Sequence, residues 1–161
     1  MDWIANKIQA LGGVTGDGVN PTKVSSPEDF ESKYGITLEN DFKDFIKEVG
    51  FNGFVEWVCT STIEQIPAYI DKICDYHTIY GFGEGKRSID YLMDLTDQLI
   101  DSSKYIPFAD GASGDYLCVS ILPESKGKIF YMHHESDEED DLFLVANSIR
   151  ELLDNSYVLR E

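Results

Sequence analysis

Between Tyr105 and His133, three runs of β-forming residues follow one another at short intervals, and they restrict the fold of this 161-residue chain more than any other stretch. Tyr105–Ala109, Tyr116–Leu122 and Lys128–His133 are rich in aromatic and branched side chains, which suit a pleated, half-buried surface. Asp110-Gly111-Ala112-Ser113-Gly114-Asp115 joins the first two runs, and Pro123 to Gly127 joins the second and third. Connections this short suit antiparallel neighbours, so the three runs read as a meander. Gly and Asp supply the positive φ and the side-chain-to-backbone bonds that such turns need.

The rest of the chain supplies helices and further strands. Trp3, Ile4, Ile8 and Leu11 recur at helical spacing, which predicts an amphipathic helix over 2–11. Gly12-Gly13-Val14-Thr15-Gly16-Asp17-Gly18 breaks it, and 12–25 reads as a flexible Gly-rich loop that lets the first helix pack independently. Ser26-Pro27-Glu28-Asp29 is a helix start, with Ser as N-cap and Pro at the first helical position, and Tyr34-Gly35 is its stop. A second helix runs from about Glu39 to Gly50 with Phe42, Phe45, Ile46 and Val49 on one face. Phe54–Cys59 reads as a strand. Ile66-Pro67-Ala68-Tyr69-Ile70 precedes a strand from Ile73 to Phe82 that runs into a Gly81/Gly83/Gly85 loop. Ser88 to Ile100 is a helix with Leu92, Leu95, Thr96 and Leu99 facing inward. Leu142–Val145 is a short strand or the lead-in to a last helix over 146–154, which carries Ile149, Leu152 and Leu153. Without internal repeats, this pattern predicts one α+β domain over 1–161 with a largely antiparallel sheet.

Charge narrows the possible partners. The chain carries 13 Lys and Arg against 30 Asp and Glu, a net −17 at pH 7. A binder of nucleic acid needs a supply of cations, and an anionic membrane surface would repel this chain for the same reason. Its 42% apolar and 12% aromatic content suits a packed core rather than a disordered acidic tract. Met1-Asp2-Trp3-Ile4-Ala5-Asn6-Lys7 has no signal-peptide pattern, and no apolar run reaches the ~18 residues of a membrane span. Cys59, Cys74 and Cys118 are odd in number and widely spaced, which suits reduced, buried thiols in a cytoplasmic protein.

Each candidate for chemistry has a plainer rival. The 110–115 loop is too short for a calcium-binding helix-loop-helix and lacks its distal Glu, so a hairpin turn explains it better. Gly81-Phe82-Gly83-Glu84-Gly85-Lys86-Arg87-Ser88 lacks the spacing of a phosphate loop, and Glu84 would oppose a phosphate. Ser88 reads instead as an N-cap. His133 and His134 are adjacent on a strand and point to opposite faces, away from a shared metal ion. Cys118 with His77 or His133 makes a catalytic pair only on paper, since nothing local activates the thiol. No cofactor, metal site or catalytic constellation emerges. The run Glu135, Asp137, Glu138, Glu139, Asp140 and Asp141 puts six carboxylates in seven positions. Mutual repulsion makes it either a solvated loop or a docking surface relieved by a partner's Lys and Arg.

The order of these pieces resembles the SUKH superfamily, also called the Smi1/Knr4 family. The resemblance runs through Tyr34-Gly35-Ile36-Thr37-Leu38, the Asn40-Asp41-Phe42-Lys43-Asp44-Phe45-Ile46 helix and Gly50-Phe51-Asn52-Gly53. It continues through Tyr80-Gly81-Phe82-Gly83, Ile106-Pro107-Phe108-Ala109-Asp110, Gly114-Asp115-Tyr116-Leu117-Cys118 and Gly127-Lys128-Ile129-Phe130-Tyr131, and closes on Ser148-Ile149-Arg150-Glu151-Leu152-Leu153. Leu38-Glu39 and Asn52-Gly53 depart from the Leu-Pro and Gly-Gly frequent in the family. The resemblance implies a curved, mostly antiparallel sheet flanked by helices, with no catalysis. It also implies an immunity protein that neutralises the C-terminal domain of a cognate polymorphic toxin, with a regulatory scaffold as the alternative. The net charge adds that this toxin domain is basic, as a nuclease is. On that reading the contact residues are Asp137, Glu138, Glu139, Asp140 and Asp141, joined by the loop residues Glu84, Asp110 and Asp115. Asp110 and Asp115 have the alternative role of shaping their turn.

Overall fold

A computed structural model describes residues 2–16, 21–61, 63, 73–111, 114–133 and 142–159. The meander is present. β6 (Tyr105–Asp110), β7 (Tyr116–Ser120), β8 (Ile129–Met132) and β9 (Leu142–Ala146) pair antiparallel in chain order. Asp110 faces Tyr116 across the first turn, and the Gly111 N–H donates to the Asp115 carbonyl at 3.0 Å. Pro123–Ser125 forms a single 3₁₀ turn between β7 and β8. Leu142–Ala146 is thus a strand, which decides between the two readings of that segment.

β4 (Ile73–Ile79) extends the sheet beyond β6, and β3 (Asn52–Ser61) pairs with β4. The free edge of β3 takes two short strands in turn. β1 (Val14–Thr15) lies against its first half, and β10 (Tyr157–Val158) against its second. Register shifts in the β3–β4, β6–β7 and β8–β9 pairs bend the sheet. The bend brings its ends together: the Ile63 N–H donates to the Leu144 carbonyl of β9 at 3.0 Å.

Among the described residues, five helices flank this sheet. α1 (Asp2–Ala10) contributes Ile4 and Ile8 to the core. α2 (Pro27–Tyr34) starts on Ser26, whose Oγ accepts from the Asp29 N–H at 3.0 Å, and stops on Gly35 in the left-handed region at φ 65°. α3 (Asn40–Val49) buries Phe42, Phe45, Ile46 and Val49, the stripe the spacing predicts. Its Phe42 meets Phe108 of β6 edge to face, with centroids 5.1 Å apart. α4 (Ile89–Leu95) and α5 (Ile149–Asn155) are capped by Ser88 and Ser148. One apolar cluster runs from Ile4 to Leu153 and takes side chains from all five helices and from the sheet.

Two expectations need correction. The 12–25 stretch holds β1 and also β2 (Lys23–Val24), which pairs with β5 (Gly83–Glu84) in a separate two-stranded sheet. The first helix shares the common core instead of packing independently. Gly83 allows the second pairing: a Cβ there would lie 1.9 Å from the Lys23 carbonyl oxygen. Along α4 and the chain just beyond it, Leu92 and Thr96 face inward as the spacing predicts. Leu95 and Leu99, however, are 57% and 53% exposed, and Ile89, Met93 and Ile100 are buried in their place. The helix stops at Leu95, so its period does not carry on to Leu99. The segment Ile66–Ile70, His134 and the acidic run Glu135–Asp141 lie outside the described residues.

Candidate functional site

The two carboxylates that flank the β6–β7 turn have different environments. Asp115 is 4% exposed, and its Oδ2 accepts from the Tyr131 hydroxyl of β8 at 3.0 Å. Burial and the Asp115 charge both push the Tyr131 phenol up, because ionising it would place two negative charges in a poorly solvated site. Asp115 therefore braces the β7–β8 pair from inside and presents no carboxylate to a partner. Asp110 is half-buried. Its Oδ2 accepts from the Tyr80 hydroxyl at 2.8 Å, and its Oδ1 lies 3.4 Å from the Thr78 N–H. Burial, followed by the Asp110 charge, raises Tyr80, while Arg87 beside the same phenol acts in the opposite sense.

A second face of Asp110 opens on solvent. Asp110, Gly111, Asp75, Tyr76, His77, Trp57 and Val58 line a cleft of about 150 Å³. Gly111 keeps the turn close to β4: a Cβ there would lie 2.6 Å from the Asp75 carbonyl oxygen and 2.8 Å from its Oδ1. Trp57 is 49% exposed although it lies within β3. Its carbonyl accepts from the Leu159 N–H at 2.8 Å, so the chain just beyond β10 fixes the backbone that carries the indole. Tyr157 and Asp75 both pair with Cys59, on either side of β3, and share the outer face of the sheet with Trp57. Sequence reasoning missed Trp57 and Tyr157. The irregular pairing of β3 between Gly53 and Val58 disrupts the in–out alternation that would have flagged Trp57, and Tyr157 lies in a two-residue strand too short to show one.

Glu84 lies elsewhere. It is exposed on β5, opposite Lys23, and borders a cleft of about 390 Å³ that also holds Asp29, Lys33 and Asp90. Lys33 and Asp90 form an ion pair there. The described structure thus does not bring Glu84 together with Asp110 and Asp115, and Asp137, Glu138, Glu139, Asp140 and Asp141 fall outside it.

The catalytic rivals fare poorly on positive observations. Cys118 is fully buried, and burial pushes its thiol far up, which opposes thiolate formation. His77 is exposed, with Nδ1 3.0 Å from the Thr78 hydroxyl, whereas His133 is buried with its ring 6.3 Å from Tyr131. Among the described residues, no three His, Cys, Asp or Glu side chains are grouped to hold a metal ion, and no helix is long and apolar enough to cross a membrane.

These features define a class: a single α+β domain with a curved antiparallel sheet, in which Asp110 and Glu84 border open clefts while Asp115 is buried. The chain belongs to the SMI1 / KNR4 family (SUKH-1), whose model matches residues 21–155. Proteins of this family are generally non-catalytic immunity or regulatory proteins. α1, β1 and β10 lie outside the matched span. The chain is also 30% identical over 138 residues to the SPbeta prophage-derived uncharacterized protein YokK of Bacillus subtilis (strain 168), covering 78% of this chain and 70% of that protein. No solved structure gives a significant match.

Proposed function

We propose that this protein is an immunity protein, which binds a basic toxin domain in the cytoplasm and blocks it. The observation that carries the reading is the net charge of −17 on a scaffold of the SUKH-1 family. Carboxylates take the place of the anions a basic cleft is built to hold, speed encounter by long-range attraction and oppose wrong partners. The acidic run supplies the densest charge, and its flanking residues Met132 and Leu142 are paired partners in the β8–β9 ladder. Asp137, Glu138, Glu139, Asp140 and Asp141 are the proposed contacts, with Asp110 and Glu84 on separate faces. Asp115 acts as an internal brace.

Co-expression with any toxin domain found encoded beside the gene tests the reading. Protection of the cells and a stable complex in gel filtration are expected; unprotected cells with no complex would refute it. Replacing the five run residues by Asn and Gln is expected to slow association about tenfold or more at low salt and to flatten its salt dependence. Unchanged kinetics would remove that surface from the interface.

A further inference from the structure

We propose that the cleft between Trp57, Asp75 and Asp110 is a receptor for a single arginine side chain presented by a basic protein partner. The proposal deepens the reading above by naming a contact on the described surface, away from the acidic run.

Three observations converge on it. The cleft, at about 150 Å³, is below the roughly 300–1,000 Å³ that small-molecule sites occupy, yet it suits one side-chain terminus. Its described lining residues include the half-exposed Trp57 together with Asp75 and Asp110, and none of those described residues is Lys or Arg. An aromatic face attracts a cation through its quadrupole, and the planar guanidinium fits both that face and a carboxylate better than an ammonium does. The molecule uses the same combination internally. Arg150 lies 4.2 Å from the centroid of the Trp3 ring while its Nη2 lies 3.3 Å from the Asp41 carboxylate.

The surroundings suit a protein rather than a free amino acid. Tyr157, Leu159 and Ile73 are 40%, 52% and 50% exposed on β10, just beyond it, and on β4, beside β3. An apolar rim of this kind gives a partner surface to bury around a central charged anchor. The net charge of −17 selects the sign of that partner. The Leu159 N–H bond fixes the backbone at Trp57, and the close approach of Gly111 to Asp75 fixes the other side of the cleft, so less ordering is left for binding.

The test is an amide-resolved NMR titration with N-acetyl-arginine amide, using N-acetyl-citrulline amide as the neutral isostere. Expected are saturable shifts in the tens of millimolar range, confined to amides at 57–59, 75–77 and 110–111, with no response to the citrulline compound. Trp57→Leu is expected to abolish the response, as is Asp75→Asn combined with Asp110→Asn. Trp57 is half-exposed, so its replacement keeps the test valid if the Asp110 change disturbs the fold. Equal shifts with citrulline, shifts scattered over the acidic surface, no shifts, or an undiminished response in Trp57→Leu would each overturn the proposal. Because the probe is not the toxin, failure here with intact protection in cells removes the cleft and leaves the immunity reading standing.

Discussion

Gly81→Ala isolates one contact between two loops that the sheet holds together. The backbone at Gly81 is pinned on both sides, since its N–H donates to the Arg87 carbonyl at 2.9 Å and its carbonyl accepts from Ile89 at 2.8 Å. An added Cβ would lie 2.4 Å from Cδ2 and Cε2 of the Phe51 ring and 3.0 Å from its Cγ. Favourable carbon contacts are about 3.5–4.0 Å, so the ring must move by about an ångström. Phe51 has little freedom to do so: its φ is 69°, the one positive φ outside glycine among the described residues, and its N–H donates to the Ile79 carbonyl at 2.9 Å. Overpacking of this kind costs about 1–3 kcal/mol, and the close approach argues for about 2. At about 2–4 °C per kcal/mol for a chain of this size, Tm is expected to fall by about 4–8 °C in calorimetry or thermal circular dichroism. Phe51→Gly removes the ring and tolerates the positive φ, so the double variant is expected to recover at least ~0.5 kcal/mol relative to the sum of the single changes. A Tm within about a degree of wild type, or a strictly additive cycle, would refute the argument.

Other consequences follow from burial. Tyr76, Tyr80 and Tyr131 are buried, and burial pushes each phenol above its ordinary pKa of about 10. The unfolded chain releases those protons near pH 10 while the native chain retains them, so stability is intact below that pH. It then falls by up to about 1.4 kcal/mol per pH unit for each group. Urea midpoints at pH 9 and 11 read this directly, and equal midpoints would contradict it. Leu95→Gln at the end of α4 and Leu99→Gln beyond it are each expected to change stability by less than about 0.5 kcal/mol, whereas Leu92→Ala within α4 costs about 2–5 kcal/mol. The reverse ranking in denaturant unfolding would overturn the assigned face. Cys59, Cys74 and Cys118 are at most 1% exposed, so a thiol reagent is expected to modify them only at the rate of unfolding. Rapid labelling of the native protein would disprove this.

Signals that act within a few residues are legible in the sequence alone. Ser26, Ser88 and Ser148 cap helices because each Oγ reaches an N–H three residues on. Gly35 ends α2 because it accepts the left-handed φ that the stop requires. The apolar stripe of α3 and the turns of the meander are equally plain, because periodicity and turn chemistry are local. The candidate site is less legible. Asp110 and Asp115 are five positions apart with the same side chain, yet one borders an open cleft and the other is sealed beneath Tyr131. Nothing local to either residue separates them.

The linear chain was sufficient for its class, its charge and most of its regular elements, since each depends on neighbours in sequence. Three-dimensional packing was needed for β1, β2, β5 and β10, two-residue strands that exist only where another edge completes their hydrogen bonds. Val158 pairs with Val58 across a hundred residues of chain, and that pairing fixes the backbone beside Trp57. Trp57, Asp75 and Asp110 come from three strands whose proximity no local pattern encodes. The difference is physical: caps and turns satisfy backbone groups within one turn of chain, whereas a cleft is set by how the whole core closes.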